Sequence, residues 1–192
     1  VLAGGDVAHV FQTSPPMGTR GAVNVWIIGD SGTKDANAEA ARDAYLAFRG
    51  TNSTDVWLML GDNAYNSGTD FEHQAAVFDM YPSLLRQNSP WPTFGNHESY
   101  SGANSLAQSG AYYDIFSLPK NGEAGGVPTG TEAYYSFDYA NVHFICLNSM
   151  DIPRTNGSAM LTWLEDDLMS TTQDWQIAFF HRTAKSLLAH RN

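Results

Sequence analysis

The sequence predicts an α/β fold built mainly on parallel strands. Short apolar segments rich in β-branched residues alternate along the chain with longer segments whose apolar residues recur at helical spacing. Three of the apolar segments end in a glycine followed by a polar residue, as strands do where they leave an open sheet. With 192 residues, of which 43% are hydrophobic and 12% aromatic, the chain is long enough for one folded domain with its own core.

The first predicted elements are a strand and a helix. Residues 22–30 form an apolar segment that ends in glycine, which predicts a buried strand. Residues 35–48 predict a helix with acidic residues in its first turn. The apolar face of this helix is expected to contain Ala40, Ala44, Ala47 and Phe48.

The same alternation continues through the middle of the chain. Residues 55–62 repeat the pattern of a strand followed by Gly-Asp, and residues 70–87 predict a helix that is bent or interrupted near Pro82. Residues 91–98 predict a short strand that runs into another glycine. The loop-rich stretch that follows predicts only a short helix within residues 105–116.

The last predicted elements are a hairpin, a helix and a strand. Residues 133–148 predict two strands joined by a tight turn at Asn141. Residues 157–169 predict a helix with Ser158 at its N-cap, and residues 174–181 predict another buried strand. Strands separated by helices imply right-handed crossovers and a largely parallel sheet that can include one antiparallel pair. The buried stripe of the helix is expected to contain Leu161, Leu164 and Leu168.

Polar side chains follow four of the predicted strands. They occur in Gly-Asp-Ser-Gly (29–32), in Gly-Asp-Asn-Ala-Tyr (61–65), in Gly-Asn-His-Glu (95–98), and at His181. Because the carboxyl ends of parallel strands meet at one edge of a sheet, we expect these side chains to lie close together. Four such residues at one edge are hard to explain as turns alone.

Each of these residues has an ordinary structural explanation when it is taken singly. Asp30 or Asp62 can cap the next helix, Asn96 can form an Asx turn, and His181 can be a structural histidine at a strand end. Together with Tyr65 they offer two carboxylates, a phenol, an amide oxygen and an imidazole. These are donors that a pair of transition-metal ions accepts, and glycine before a ligand lets the backbone approach a metal cluster.

The charge of the chain argues against some classes of partner. Ten basic and twenty acidic residues give a formal net charge of −10. Such a chain does not favour nucleic acid or an anionic membrane, which are bound largely through positive charge. An anionic substrate would need a local source of attraction.

The single cysteine and the hydropathy of the chain indicate an ordinary folded domain. Cys146 lies in an apolar segment and is predicted to be a buried structural thiol, so no disulfide forms within the chain. A membrane-spanning helix needs about 20 apolar residues, and no apolar stretch of the sequence approaches that length. The first residues lack the charged flank and long apolar core of a signal peptide.

The order and spacing of the strand-end motifs resemble the calcineurin-like metallophosphoesterase superfamily, and within it the purple acid phosphatases. Asp30, Asp62 and Asn96 follow one another at intervals of 32 and 34 residues, and Ala-Phe-Phe-His follows much later at 178–181. Tyr65, three residues after the second aspartate, is the mark of the purple acid branch. The resemblance covers nearly the whole chain and implies a β-sandwich of mixed, largely parallel sheets flanked by helices.

The resemblance also implies a role for each candidate ligand. Asp30 and Tyr65 would bind one metal ion, Asp62 would bridge both ions, and Asn96 and His181 would bind the second. The family implies iron at the tyrosinate position and iron, zinc or manganese at the other. This agrees with the preference of ferric iron for hard oxygen donors such as a phenolate.

Four further residues can be interpreted from the sequence, and two of them, His97 and Glu98, have competing interpretations. The resemblance makes His97 a catalytic group beside the substrate phosphate or leaving group, and the alternative is a solvent-exposed histidine at a helix start. Glu98 either supports the metal ligands or is an acid placed near a helix start. His73 is predicted to lie on a helix surface, and His143 is predicted to be a structural histidine in a strand.

The sequence departs from the family pattern at its end. Purple acid phosphatases continue past the strand-end histidine with a Pro-rich loop and a Gly-His-x-His motif that completes both metal sites, and residues 181–192 contain neither. His190 has the spacing of a family histidine near the substrate, but its surroundings do not match. We therefore expect a truncated domain at 22–192 that lacks its last strands, exposes an apolar edge and binds metal less tightly. Residues 1–21 are expected to be a lead or the tail of an upstream accessory domain.

The function implied by the resemblance is that of a dinuclear-metal phosphatase. It would hydrolyse small phosphate monoesters by attack of a metal-bound hydroxide, and its location would be secreted or periplasmic. Two alternatives stay open: a phosphodiesterase or nucleotidase of the same superfamily, and a non-catalytic remnant that binds metal or phosphate weakly.

Overall fold

The computed structural model describes residues 11–182 of the chain. This part of the chain forms six strands and a series of helices. In chain order the elements are β1 (Val25–Ile28), α1 (Ala36–Arg49), β2 (Val56–Met59), α2 (Asp70–His73) with a π-helical turn (Gln74–Phe78), α3 (Pro82–Leu85), β3 (Pro90–Pro92), α4 (Asn96–Ser99), α5 (Ala111–Ile115), β4 (Tyr135–Tyr139), β5 (Val142–Cys146), α6 (Ala159–Ser170) and β6 (Trp175–Phe179).

The strands form two three-stranded sheets. In the first sheet, β1, β2 and β3 are all parallel, with Trp26 opposite Trp57 and Leu58 opposite Trp91. In the second sheet, β4 and β5 form an antiparallel hairpin, and β6 lies parallel to β5. The predicted α/β fold with largely parallel strands and one antiparallel pair is confirmed, and its strands are divided between two sheets as the family resemblance implies.

The two sheets pack face to face over an apolar core. Leu58 of β2 lies in one cluster with Phe137 of β4 and Phe144 of β5. The ring of Trp91 stacks on that of Phe137, with the ring centroids 3.7 Å apart. Cys146 is buried in this core as a free thiol, as predicted. Burial of such large apolar surfaces is what holds the sandwich together.

Helices cover the outer face of each sheet. Trp26 and Trp57 of the first sheet pack with Tyr81 and with residues of α1 and the π-helical turn. On the second sheet, Ile145 packs against Met160 and Trp163 of α6. The described chain is therefore a four-layer arrangement of helices, sheet, sheet and helix. None of its helices is long and apolar enough to cross a membrane.

The buried faces of the two long helices differ from those predicted. In α1 the predicted face is solvent-exposed, with Phe48 88% exposed, and the helix contacts the sheet through other residues. Tyr45 of α1 stacks on Trp26 at 4.2 Å between ring centroids, so a large aromatic side chain, not the row of alanines, sets the orientation. In α6 the predicted leucines are partly exposed or exposed. The residues buried on α6 are Met160, Trp163 and Asp167.

One local prediction is corrected and two are confirmed. His73, predicted on a helix surface, is fully buried, and its ring packs at 5.9 Å from that of Phe116. The tight turn of the hairpin consists of Ala140 and Asn141, as predicted, and Ala140 is the turn residue with a positive φ. Ser158 is the N-cap residue of α6, but its hydroxyl has no hydrogen-bond partner among the described residues.

Strands β1 and β6 are less buried than predicted. Ile27 is 53% exposed and Trp175 is 65% exposed. Within residues 11–182 these strands form the outer edges of their sheets, so each has a neighbouring strand on one side only. Apolar side chains are therefore exposed on both edge strands in the described part of the chain.

The segment before β1 contacts the second sheet. The backbone N–H of Gly18 donates to the carbonyl of Ala140 at 2.7 Å, and Arg20 pairs with Asp174 at 2.8 Å. The division of the chain at residue 21 into a lead and a domain stays a prediction.

A buried carboxylate ties the ends of β2 and β3 together. Glu98 is fully buried and accepts hydrogen bonds from the backbone N–H groups of Asp62 (3.1 Å), Asn63 (2.6 Å) and Gly95 (2.8 Å). Burial raises the pKa of Glu98, and the hydrogen bonds from Asn63 and Gly95 partly offset that effect. Glu98 is thus an acidic residue in the first turn of α4 and also fixes the loop after β2.

A second buried charge cluster links the second sheet to α6. His143 of β5 is fully buried, with Nδ1 at 2.7 Å from Asp138 Oδ1 and Nε2 at 2.8 Å from Asp167 Oδ2. Burial by itself would lower the pKa of His143, but the hydrogen bonds and charges of Asp167 and Asp138 outweigh burial and raise it. His143 is a packed structural histidine, as predicted. Its bond to Asp167 explains why α6 turns an acidic residue toward the sheet.

Replacing Glu98 should destabilise the fold strongly. Glu98→Ala leaves three buried backbone N–H groups without an acceptor, so we expect the free energy of unfolding to fall by at least about 3 kcal/mol. Glu98→Gln keeps the shape of the side chain and one carbonyl acceptor, so the free energy of unfolding should fall by less in this variant. Urea unfolding followed by tryptophan fluorescence measures both, with Glu165→Gln on the exposed face of α6 as the control. Equal stability of wild type and Glu98→Ala would contradict this role.

The His143 cluster should make stability depend on pH. Because the folded-state pKa of His143 is raised, its contribution is complete below the unfolded value of about 6.5 and is lost as pH rises through the folded value. We expect His143→Gln to lower the free energy of unfolding by roughly 3 kcal/mol at about pH 6 and by less at about pH 9. Urea titrations at the two pH values test this. A difference between the proteins that does not change with pH would argue against a charged His143.

Candidate metal centre

The candidate ligands meet at one edge of the sandwich. Asp30 follows β1, Asp62 follows β2, Asn96 follows β3, and His181 follows β6 of the other sheet, while Tyr65 lies in the loop after Asp62. The ligand atoms of Asp30, Asp62 and His181 all lie within 4.8 Å of one another. The structure therefore brings together all five residues that the sequence singles out.

The two Gly-Asp turns have the same backbone conformation. Asp30 and Asp62 both have a φ of 52°, in the left-handed region that aspartate enters more readily than most residues. The N–H of Asp30 donates to the carbonyl of Gly61 at 3.2 Å, and the N–H of Gly32 donates to the carbonyl of Asp62 at 3.1 Å. The repeated motif in the sequence thus becomes two turns that lie side by side, because β1 and β2 are parallel and in register.

Tyr65 joins the two aspartates. Its hydroxyl lies 2.9 Å from Asp30 Oδ1 and 3.1 Å from Asp62 Oδ2. We call Asp30, Tyr65 and Oδ2 of Asp62 the first donor set. Burial, the hydrogen bond to Asp30 and the negative charge of Asp62 all raise the pKa of the Tyr65 phenol. One hydroxyl proton cannot neutralise two carboxylates, so this set carries excess negative charge.

His181 directs a ring nitrogen at two oxygens. Its Nδ1 lies 2.8 Å from the carbonyl oxygen of Leu60, which can only accept, so Nδ1 is the donor. Its Nε2 lies 3.1 Å from Asn96 Oδ1 and 3.5 Å from Asp62 Oδ1. Asn96, His181 and Oδ1 of Asp62 are the second donor set. In the neutral imidazole, Nε2 carries a lone pair that faces two acceptor oxygens, which is unfavourable unless a cation or a proton lies between them.

Asp62 belongs to both donor sets. Its Oδ2 faces Tyr65 and its Oδ1 faces His181, and Oδ1 also accepts a hydrogen bond from the backbone N–H of His97 at 2.9 Å. The side chain is 5% exposed. Its two oxygens therefore stand at the junction of two separate groups of donors.

Two glycines allow the strand ends to approach this closely. A Cβ on Gly61 would lie 2.7 Å from Nδ1 of His181, and Gly61 also has a φ of 86°. A Cβ on Gly95 would overlap the backbone nitrogen of Asp62. Any larger residue would push the second donor set apart, which explains the glycine before Asp62 and before Asn96.

His97 lies at the mouth of the cluster. Its Nδ1 is 2.6 Å from the carbonyl oxygen of Asn66, so Nδ1 is the donor and Nε2 faces the cluster, 3.8 Å from Asp62 Oδ2. Its ring packs between those of Tyr65 at 4.3 Å and Tyr100 at 4.7 Å, measured between ring centroids. The partial burial of His97 excludes the interpretation as a histidine fully in solvent.

Sequence reasoning missed two residues at this edge. The amide of Asn96 donates to the hydroxyl of Tyr100 at 3.2 Å, and the guanidinium of Arg182 donates to Asn96 Oδ1 at 3.2 Å. Tyr100 lies one helical turn after Asn96 and Arg182 directly follows His181, and these positions are the signals that could have identified them. His190 lies outside the described residues.

Comparison of the sequence with known proteins identifies a family and a relative. The sequence model of the calcineurin-like phosphoesterase family matches residues 23–190. The chain is 29% identical over 120 residues to purple acid phosphatase 13 of Arabidopsis thaliana, an alignment that covers 60% of this chain and 21% of that protein.

The fold is similar to that of a solved phosphatase. Purple acid phosphatase PPD1 from yellow lupin (Lupinus luteus) seeds superposes with a TM-score of 0.62 at 19% identity, covering 90% of this chain and 32% of that one. The chain thus spans less than a third of the length of both relatives. Because the family match extends over most of its residues, the chain belongs to the calcineurin-like phosphoesterase family.

Proposed function

We propose that the chain holds two metal ions at the donor sets and hydrolyses phosphate monoesters. The observation that carries the proposal is the position of Asp62, whose two carboxylate oxygens each face a different group of donors. A carboxylate placed in this way is suited to bridge two cations and to keep them close against their mutual repulsion.

The donor sets fit metal ions in their distances and in their chemistry. Two ligand atoms that bind one ion at right angles, each about 2.1 Å from it, lie about 3 Å apart. The Tyr65 hydroxyl is 2.9 Å from Asp30 and 3.1 Å from Asp62, and His181 Nε2 is 3.1 Å from Asn96 Oδ1. The bond from His181 Nδ1 to a backbone carbonyl is the support that metal-binding histidines usually have.

We propose iron at the first donor set and iron, zinc or manganese at the second. The first set offers only oxygen donors, including a phenol that can become a phenolate, and the second combines oxygen with an imidazole nitrogen. When bound, such a pair lowers the pKa of water, holds phosphate oxygens and neutralises the charge that develops during hydrolysis.

The residues of the chain then have distinct tasks. Asp30 and Asp62 place negative charge where it can hold cations. The bound cations would then attract a phosphate ester to a chain whose net charge is −10. His97 holds its ring by the bond from Nδ1 to Asn66 and by packing against two tyrosines. In the imidazolium form, Nε2 would carry a second proton and could give it to the leaving oxygen of the substrate, while Nδ1 keeps its bond to Asn66. We extend the proposal to a secreted or periplasmic location, as the family resemblance implies.

Removing the bridging carboxylate should abolish both metal binding and turnover. We expect Asp62→Asn to reduce the bound metal from two ions per chain to at most one, and to reduce kcat/KM for an aryl phosphate monoester by at least about a hundred-fold. Elemental analysis and release of the aryl alcohol measure the two effects, with Asp166→Asn on the exposed face of α6 as the control.

Wild-type results decide between the candidate functions. Less than one metal ion per chain without turnover would refute the proposed enzyme, and metal binding without turnover would support a non-catalytic chain. Faster hydrolysis of an aryl phosphodiester than of the monoester would replace the monoesterase by a diesterase.

Iron binding by Tyr65 has a spectroscopic test. A phenolate bound to ferric iron gives a charge-transfer band in visible light, so we expect the iron-loaded chain to absorb there and Tyr65→Phe to lose the band. Tyr100→Phe removes a phenol from the same edge of the fold but outside both donor sets, and it should keep the band. A band that survives in Tyr65→Phe would refute the role of Tyr65.

A further inference from the structure

A guanidinium group is held at the rim of the second donor set. The side chain of Arg182 donates to Asn96 Oδ1 at 3.2 Å, and its backbone N–H donates to the hydroxyl of Ser149 at 2.8 Å. The two contacts come from different sheets, since Asn96 follows β3 and Ser149 follows β5. Together they fix where the backbone and the charged end of Arg182 lie.

We propose that Arg182 binds the phosphoryl oxygens of the substrate at this rim. A guanidinium has five N–H donors in a planar fork that matches a phosphate group. Among the described residues its hydrogen bonds go to Asn96 alone, and the side chain is exposed, so the remaining donors are open to a ligand. This inference rests on the proposed function and adds a substrate-binding residue to it.

The charge around the site supports a phosphate-binding task for Arg182. The donor sets carry two carboxylates within a chain of net charge −10, so a fixed cation beside them offsets repulsion of an anion. A second cation at this edge is Lys34, which lines a cavity of about 410 Å³ with Asp30 and Tyr65. Its ammonium group lies over the ring of Phe71, 5.8 Å from the centroid, whereas Arg182 donates directly to Asn96 of the second donor set.

Replacing Arg182 can distinguish a role in binding the substrate from a role in orienting a metal ligand. A residue that only oriented Asn96 would alter the affinity of the second donor set for metal when it is replaced. A residue that holds phosphoryl oxygens alters the affinity for phosphate and leaves the metal content unchanged. The two roles therefore give different results in one pair of measurements.

The test compares Arg182→Gln with wild type in the 192-residue chain loaded with zinc. We expect the dissociation constant of inorganic phosphate, measured by calorimetry, to rise by about ten-fold, as for loss of a hydrogen bond from a charged donor. Zinc content should stay at the wild-type value, and KM for an aryl phosphate should rise more than kcat falls. Arg182→Lys keeps the charge but loses the fork, so it should show a smaller rise.

Arg86→Gln is the matched control, because Arg86 is exposed and lies before β3, at the opposite end of that strand from Asn96. It changes the net charge equally and should leave phosphate affinity unchanged. Equal phosphate affinity in Arg182→Gln and wild type, lost zinc in Arg182→Gln, or no phosphate binding by wild type would each overturn the inference. A ten-fold weaker phosphate affinity in a chain without turnover would uphold the inference while the proposed function fails.

Discussion

The carboxylate of Glu98 accepts hydrogen bonds from three buried backbone N–H groups, and the geometry of the site depends on this contact. Two of the donors belong to Asp62 and Asn63 after β2, and the third belongs to Gly95 after β3. The contact therefore sets the distance between Asp62 and Asn96. A buried charge is costly unless it is fully hydrogen-bonded, and a charge bonded in this way resists displacement.

The site also depends on the packing of two sheets against each other. Three of the strand-end residues come from the parallel first sheet, and His181 comes from the second. The hydrogen bond from His181 to the carbonyl of Leu60 crosses between the sheets and directs Nε2 at the other donors. The apolar core between the sheets holds the strand ends close enough for this bond to form. Binding chemistry and core packing are therefore coupled at this edge of the sandwich.

The predictions that failed concern which side of a helix or strand is buried, and not whether that helix or strand exists. Every helix and strand predicted from periodicity is present, but α1 and α6 turn other residues inward than those expected. Periodicity identifies a helix because the repeat is local to the chain. Which face of a helix is buried depends on residues distant in sequence. Tyr45 of α1 packs on Trp26, and Asp167 of α6 bonds to His143. His73 is buried for the same reason, because Phe116 and its neighbours pack over it.

From the sequence alone we could predict the alternation of strands and helices, the glycines at the strand ends, and the identity of the five candidate ligands. These features are local, since each motif is read within a few residues of a strand end. Other features of the site follow from the packing of the folded chain. Asp62 faces two donor sets, Glu98 supports the loop behind it, and Tyr100 and Arg182 contact Asn96. Such contacts join residues as far apart in the sequence as Asp62 and His181, and their distances depend on how the sheets pack. No local pattern in the chain encodes that packing.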